Sequence, residues 1–240
     1  MNILILGGTG LIGQPLVRKL TDFSSHSLCV SSRKASILQA GIEHVAWNRY
    51  GHAIPVTLLR CWDLIIDMSC YDTFAAEQTI QLAGSTTHII FISTSLVYQG
   101  QTADVLTESM IVKATSQFSR DKIAAEKIFV AQKNMYRSLT ILRPSYILGA
   151  SSVLSDGMTW PSDFYKRLVN QLPVIVSPAA ANKISISSDS FVANCLHQLI
   201  DCDHEIEIIN ISQNSISWFD LYNHFLQISG LKFITYIIVD

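Results

Sequence analysis

Residues 7 to 13 read Gly7-Gly8-Thr9-Gly10-Leu11-Ile12-Gly13 and come directly after the apolar run Asn2-Ile3-Leu4-Ile5-Leu6. No other segment limits the possible folds so tightly. A strand that turns into four glycines within seven residues, followed by Ile12, Leu16 and Leu20 on one helical face, opens a βαβ unit. The run fits G-x-G-x-x-G counted from Gly8 and G-x-x-G-x-x-G counted from Gly7, and both readings share Gly10 and Gly13. Such a loop must leave a strand, bring its backbone against a pyrophosphate and start a helix packed on the sheet. Each step excludes a Cβ, and the helix start offers unpaired N–H groups to phosphate. Residues 7 to 13 are therefore expected to hold a dinucleotide.

The rest of the chain extends that unit. Strand-like runs at residues 2–6, 28–31, 44–47, 64–68, 89–93 and 139–142 alternate with helix-length segments. This predicts an α/β fold, a Rossmann-type doubly wound parallel sheet with its ligand beyond the carboxyl ends of the strands. Met68, Ser69 and Ser93, at two of those ends, join the expected cofactor site. The texture changes after Gly149 to Ser- and Pro-containing stretches with one helical pattern over 162–170, and core-like segments return at 188–200 (helix), 206–211 (strand) and 217–229 (helix). A strand-like run closes the chain at 233–239. The expected organisation is a dinucleotide-binding domain over 1–150 and a small C-terminal substrate lobe from 151–187 and 212–240, with 188–211 returning to the core. Only 15% of the residues are charged, so either the sheet is covered on both faces or some apolar surface meets a partner, and composition does not choose between the two.

Charge and cysteine usage narrow the partners. A net charge of −2 and the absence of a dense basic run argue against nucleic acid. No apolar run is long enough to span a bilayer, and Met1 leads straight into the first strand with no room for a signal peptide. Five cysteines without C-x-x-C spacing suit free thiols in the cytoplasm. Cys195-Leu196-His197 and Cys202-Asp203-His204 repeat a C-x-H pattern, but the spacing matches no common zinc framework, and Cys195 reads more simply as the core side of a helix. No metal is expected.

The end of the second strand carries Ser31-Ser32-Arg33-Lys34, where an NAD-selective site places a carboxylate for the ribose hydroxyls. Ser32, Arg33 and Lys34 suit a 2′-phosphate instead, with the forked donors of Arg33 able to grip it. NADP (NADPH) is expected over NAD, unless both cations merely sit on a solvated helix start.

Three further segments resemble the short-chain dehydrogenase/reductase superfamily in its extended, epimerase/dehydratase-like branch. They are Ser93-Thr94-Ser95-Leu96-Val97-Tyr98 after the fifth strand, Lys122-Ile123-Ala124-Ala125-Glu126 on a helix, and Leu142-Arg143-Pro144 with Gly149 after the sixth. With the glycine loop, the likeness runs over about residues 1 to 230. The segment from Trp62 to Tyr71 is similar to atypical members, including relatives of chloroplast stem-loop-binding proteins. The resemblance implies that Thr94 holds a substrate oxygen beside the nicotinamide and that Lys122 bonds the nicotinamide ribose. It also implies a tyrosine four residues before that lysine, and here that position is Phe118.

A phenyl ring exchanges no proton, and loss of such a group costs about 10²–10⁴ in rate. Tyr98, Cys70, Tyr71 or a water on Thr94 could take over the proton, with Phe118 lining the pocket. The expected function is NADP-dependent hydride transfer to or from a small organic substrate. A non-catalytic redox sensor comes second and a nucleotide-sugar epimerase or dehydratase third, and the branch suggests a homodimer.

Overall fold

The computed structural model describes residues 1–23, 26–33, 41–99, 101, 105–149, 167, 170–176, 181–202, 206–230 and 236–238. Two compact units are present, one of Met1–Ser145 with Asp189–Ile211 and one of Tyr146–Ser188 with Ser212–Asp240.

The first unit is built on a seven-stranded sheet. Its strands are β1 (Asn2–Leu6), β2 (Ser27–Ser32), β3 (Glu43–Ala46), β4 (Leu64–Asp67), β5 (His88–Ile92), β6 (Ser138–Pro144) and β10 (Ile206–Ile211). Every pairing is parallel, in the order β10-β6-β5-β4-β1-β2-β3. The chain leaves β1 for β2 and β3 on one side and returns to β4 on the other, so the strand order reverses beside the glycine loop, the usual place for a ligand in such sheets.

Burial explains why these runs are strands. Residues 3–6, all of β4, all of β5 and all seven residues of β6 are buried, which leaves no solvent face to select alternation. On one side, helices α2 (Thr73–Leu82) and α3 (Gln117–Ala131) bury Ala75, Ala76, Ile80, Ala125 and Phe129 against Ile89, Phe91, Leu139 and Ile141. The Phe91 and Phe129 rings lie 4.9 Å apart. Helices α1 (Gly13–Phe23) and α4 (Asp189–Leu199) pack on each other and bury Leu16, Leu20, Val192 and Leu196. Cys195 is half-buried rather than core, one position off that stripe, and His204 lies outside the described residues. Among the described residues no three His, Cys, Asp or Glu side chains group to hold a metal, and no helix is long and apolar enough to cross a membrane.

The second unit holds β7 (Tyr146–Leu148), β8 (Val174–Val176), β9 (Lys183–Ser188), β11 (Asn214–Ser217), α5 (Trp218–Ser229) and β12 (Tyr236–Ile238). β9 pairs antiparallel with β11 and parallel with β7, while β12 pairs parallel with β8. Ser217 caps α5 by accepting from the Asp220 N–H at 3.1 Å, and Gly230 ends it in the left-handed region at φ 70°. The Tyr146 and Trp218 rings meet edge-on at 5.3 Å. Most of the expected helical pattern over 162–170 lies outside the described residues. β7, β8, β9 and β11 were not expected, being short and, in β9 and β11, Ser-rich.

Candidate dinucleotide site

Gly7 has φ 85°, and its N–H donates to the Ser31 carbonyl at 2.8 Å, which fixes the turn against β2. A Cβ there would also approach the Ser69 Cβ to 3.2 Å. A Cβ on Gly13 would sit 2.5 Å from the Gly8 backbone, so the helix can start against the turn only with glycine. Gly10 differs. Its Cβ would meet the Gly7 carbonyl at 3.1 Å and otherwise open space, so protein packing does not explain that glycine.

The loop is closed from within by Gly10 N–H to Gly7 O at 2.9 Å and by the Gln14 side chain to Thr9 O at 2.9 Å. The amides of Leu11, Ile12 and Gly13 make no hydrogen bond to a described residue. Open space over one glycine and three free amides at a helix start are what a pyrophosphate fills.

At the end of β2 the Ser32 hydroxyl is hydrogen-bonded to His44 Nε2 at 2.8 Å, so it is already engaged within the protein. Arg33 is exposed, and its charge reaches the Tyr71 phenol. Lys34 lies outside the described residues.

The end of β4 holds a cluster that the sequence did not reveal. Asp67, fully buried, accepts from Arg49 Nη1 at 3.2 and 2.9 Å, from the Ser69 N–H at 2.9 Å and from the Thr79 hydroxyl at 2.5 Å. Arg49 further donates to Gln78 Oε1, Ser69 Oγ, Ala75 O and Thr79 Oγ1. This ties Ser69, the residue against Gly7, to a buried ion pair. A carboxylate closing the apolar run Leu64-Ile65-Ile66-Asp67 was the available signal.

Lys122 is buried on α3, and its ammonium donates to Cys70 O and Ile92 O, both at 2.7 Å. It joins the ends of β4 and β5, and one of its three N–H groups remains for a ligand. The rings of Phe91, Tyr71 and Phe118 lie 5.0, 5.1 and 5.9 Å from Nζ, and burial lowers the lysine pKa. Phe118 shares the helix face of Lys122, is 41% exposed, and its ring lies 6.4 Å from that of Tyr71, tilted by 48°.

Glu126 does not pair with Lys122. Its carboxylate accepts from Arg143 Nε at 3.0 Å and Nη2 at 2.6 Å, and from the Ser93 hydroxyl at 2.5 Å. Arg143 Nη1 donates to the Tyr98 hydroxyl at 2.5 Å, which donates to Asn210 Oδ1 at 3.0 Å. Tyr98 and Ser93 are thus held in a buried polar chain linking β5, β6, α3 and β10.

Cys70 is fully buried, its thiol donating to Asp72 O at 3.5 Å, and burial pushes its pKa well above the usual thiol range. The Thr94 hydroxyl, half-buried, accepts from the Leu96 N–H at 3.2 Å and caps a short 3₁₀ turn, keeping its own proton to donate. The structure brings Thr94, Lys122, Phe118 and Tyr71 to the ends of β4 and β5.

The strand order and the glycine loop define a Rossmann-type α/β protein. Within that class the same fold is found in solved epimerases and a dehydratase. A UDP-glucuronic acid 4-epimerase from Bacillus cereus, in complex with UDP-glucuronic acid and NAD, superposes with TM-score 0.81 at 17% identity over 100% of this chain and 86% of that one. A tyrosine-to-phenylalanine variant of that epimerase, with a fluorinated UDP-glucuronic acid and NAD, gives 0.83 at 18% over the same shares. dTDP-glucose 4,6-dehydratase from Bacillus anthracis str. Ames, with NAD, gives 0.79 at 15% over 100% and 85%. No protein-family model and no curated protein sequence matches the chain.

Proposed function

We propose that the chain binds a nicotinamide dinucleotide along the carboxyl edge of the seven-stranded sheet and uses it for hydride transfer with a small organic substrate. The observation that carries this reading is the loop around Gly10, where an added Cβ would meet only the Gly7 carbonyl and where the Leu11, Ile12 and Gly13 amides bond no described residue. When bound, the dinucleotide supplies a two-electron hydride donor or acceptor. The loop amides hold the phosphates, Met68 and Ser69 form the wall beyond Gly7, the free N–H of Lys122 faces the nicotinamide half, and the Thr94 hydroxyl orients a substrate oxygen.

NADP is the finer reading, supported by exposed Arg33 and by the lack of a carboxylate at the end of β2; the solved neighbours above carry NAD. A nucleoside diphosphate sugar is the second reading of the substrate, favoured by the UDP-glucuronic acid in such a neighbour. Phe118 leaves position 118 without the base that oxidising a sugar hydroxyl needs, so this reading requires the base from another group.

Fluorescence titration with NADPH and NADH tests the proposal. Both should bind, NADPH more tightly, and Arg33→Ala should narrow the difference. Gly10→Ala should keep its thermal midpoint, since the added methyl meets one oxygen at 3.1 Å, yet lose at least about tenfold in affinity. Absence of binding by either dinucleotide refutes the reading.

A further inference from the structure

Reducing a C=O bond needs a proton as well as a hydride, and the groups at the ends of β4 and β5 differ in their ability to give one. The hydroxyl of Tyr98 is taken by Arg143 and Asn210, that of Ser93 by Glu126, and the Cys70 thiol is fully buried. The Lys122 ammonium is locked on two carbonyls. The Tyr50 ring meets Phe74 at 6.1 Å and is not among the rings around Lys122, which are those of Tyr71, Phe91 and Phe118. Thr94 is a weakly acidic alcohol.

Among the described residues at these strand ends, Tyr71 combines position, access and an uncommitted phenol. It is 37% exposed, and its hydroxyl makes no hydrogen bond to a described residue. It follows Cys70, whose carbonyl holds Lys122, and lies two residues beyond Ser69, which packs on Gly7. Its ring stands 5.1 Å from Lys122 Nζ and 6.4 Å from the Phe118 ring.

We propose that Tyr71 is the proton donor of the hydride-transfer site, supplying the hydroxyl that position 118 lacks; this rests on the dinucleotide reading above. Hydride from a dihydronicotinamide forms the new C–H bond at the carbonyl carbon, the π pair moves onto oxygen, and the Tyr71 O–H proton goes to that oxygen. The nicotinamide is left oxidised, and water reprotonates the tyrosinate. Burial raises the phenol pKa, against the pull of Arg33, so the proton is on the oxygen when it is needed.

The test uses the full chain labelled with ¹³Cζ-tyrosine, the Tyr71 resonance being assigned by its loss in Tyr71→Phe. On titration with NADPH that resonance should shift. Tyr71→Phe should keep its thermal midpoint and bind NADPH within about threefold of wild type, while turnover with a panel of small aldehydes and ketones falls about 10²–10⁴-fold. Tyr50→Phe should leave turnover unchanged. If NADPH does not bind, the dinucleotide reading itself fails. If it binds and the Tyr71 resonance stays still, or Tyr71→Phe turns over like wild type, or wild type reduces no carbonyl of the panel, the assignment to Tyr71 is overturned while dinucleotide binding stands.

Discussion

Asp67→Ala should be among the most damaging single changes in the chain. The carboxylate is fully buried against Arg49, itself only 6% exposed, and it also takes the Ser69 N–H and the Thr79 hydroxyl. Removing it leaves a guanidinium in the interior without its counter-charge, a situation that costs about 3–5 kcal/mol. At about 2–4 °C per kcal/mol for a chain of this size, the thermal midpoint should fall by roughly 6–20 °C. Asp67→Asn keeps one acceptor but turns an N–H toward Arg49 and should fall nearly as far. Arg49→Met combined with Asp67→Leu should cost at least about 2 kcal/mol less than the sum of the single changes, because neither charge is then left alone. Urea unfolding followed by circular dichroism measures the wild type, each single change and the double change. Because Ser69 packs on Gly7, dinucleotide affinity in Asp67→Ala should also drop at temperatures where the fold is intact. A loss below about 1 kcal/mol for Asp67→Ala would mean the pair is not held as described.

Two further changes probe the site and the core. Phe118→Tyr should stay folded with its midpoint within about 2 °C, since the ring is 41% exposed and the added hydroxyl reaches solvent; a large loss in a melting curve would place the residue in the core instead. Burial pushes the Cys29 thiol up to about 11. A raised acid stabilises fully below its unfolded value and loses that contribution as pH rises through its folded value. Stability should therefore fall between about pH 9 and 11 by roughly 2–3 kcal/mol on account of this thiol, and Cys29→Val should flatten that decline in urea midpoints; an unchanged slope would refute it.

The chain showed its architecture where one physical demand was written locally. The glycines, the all-apolar strands and the helix face of Ile12, Leu16 and Leu20 each follow from contacts within a few residues, and they led to the parallel sheet and the loop. The polar clusters were hidden because their members lie far apart in sequence. Arg49 meets Asp67 across 18 residues, Arg143 meets Glu126 across 17, and Tyr98 meets Asn210 across 112. Glu126, one helical turn after Lys122, belongs to Arg143, and the Ser32 hydroxyl expected beside a phosphate also bonds His44; neither partner follows from local spacing. Short Ser-rich strands such as Lys183–Ser188 escaped because half-exposed alternation is weak over six residues.

The charges that are buried share one place. Asp67 ends β4, Lys122 bridges the last carbonyl of β5 and the Cys70 carbonyl just beyond β4, and Glu126 and Arg143 meet beside the last residues of β5 and β6. Buried ion pairs contribute little net stability compared with apolar packing, so a chain with only 15% charged residues gains little in stability by placing them there. What they provide is position. Each fixes a backbone segment at the carboxyl edge: Ser69 against the glycine loop, Cys70 and Ile92 through Lys122, and Ser93 through Glu126. Tyr71 and Thr94 each follow directly on a segment held in this way, so their hydroxyls project from a rigid frame. A frame fixed in this way is what the proposed dinucleotide, spanning from Gly10 to Lys122, requires of a preorganised site.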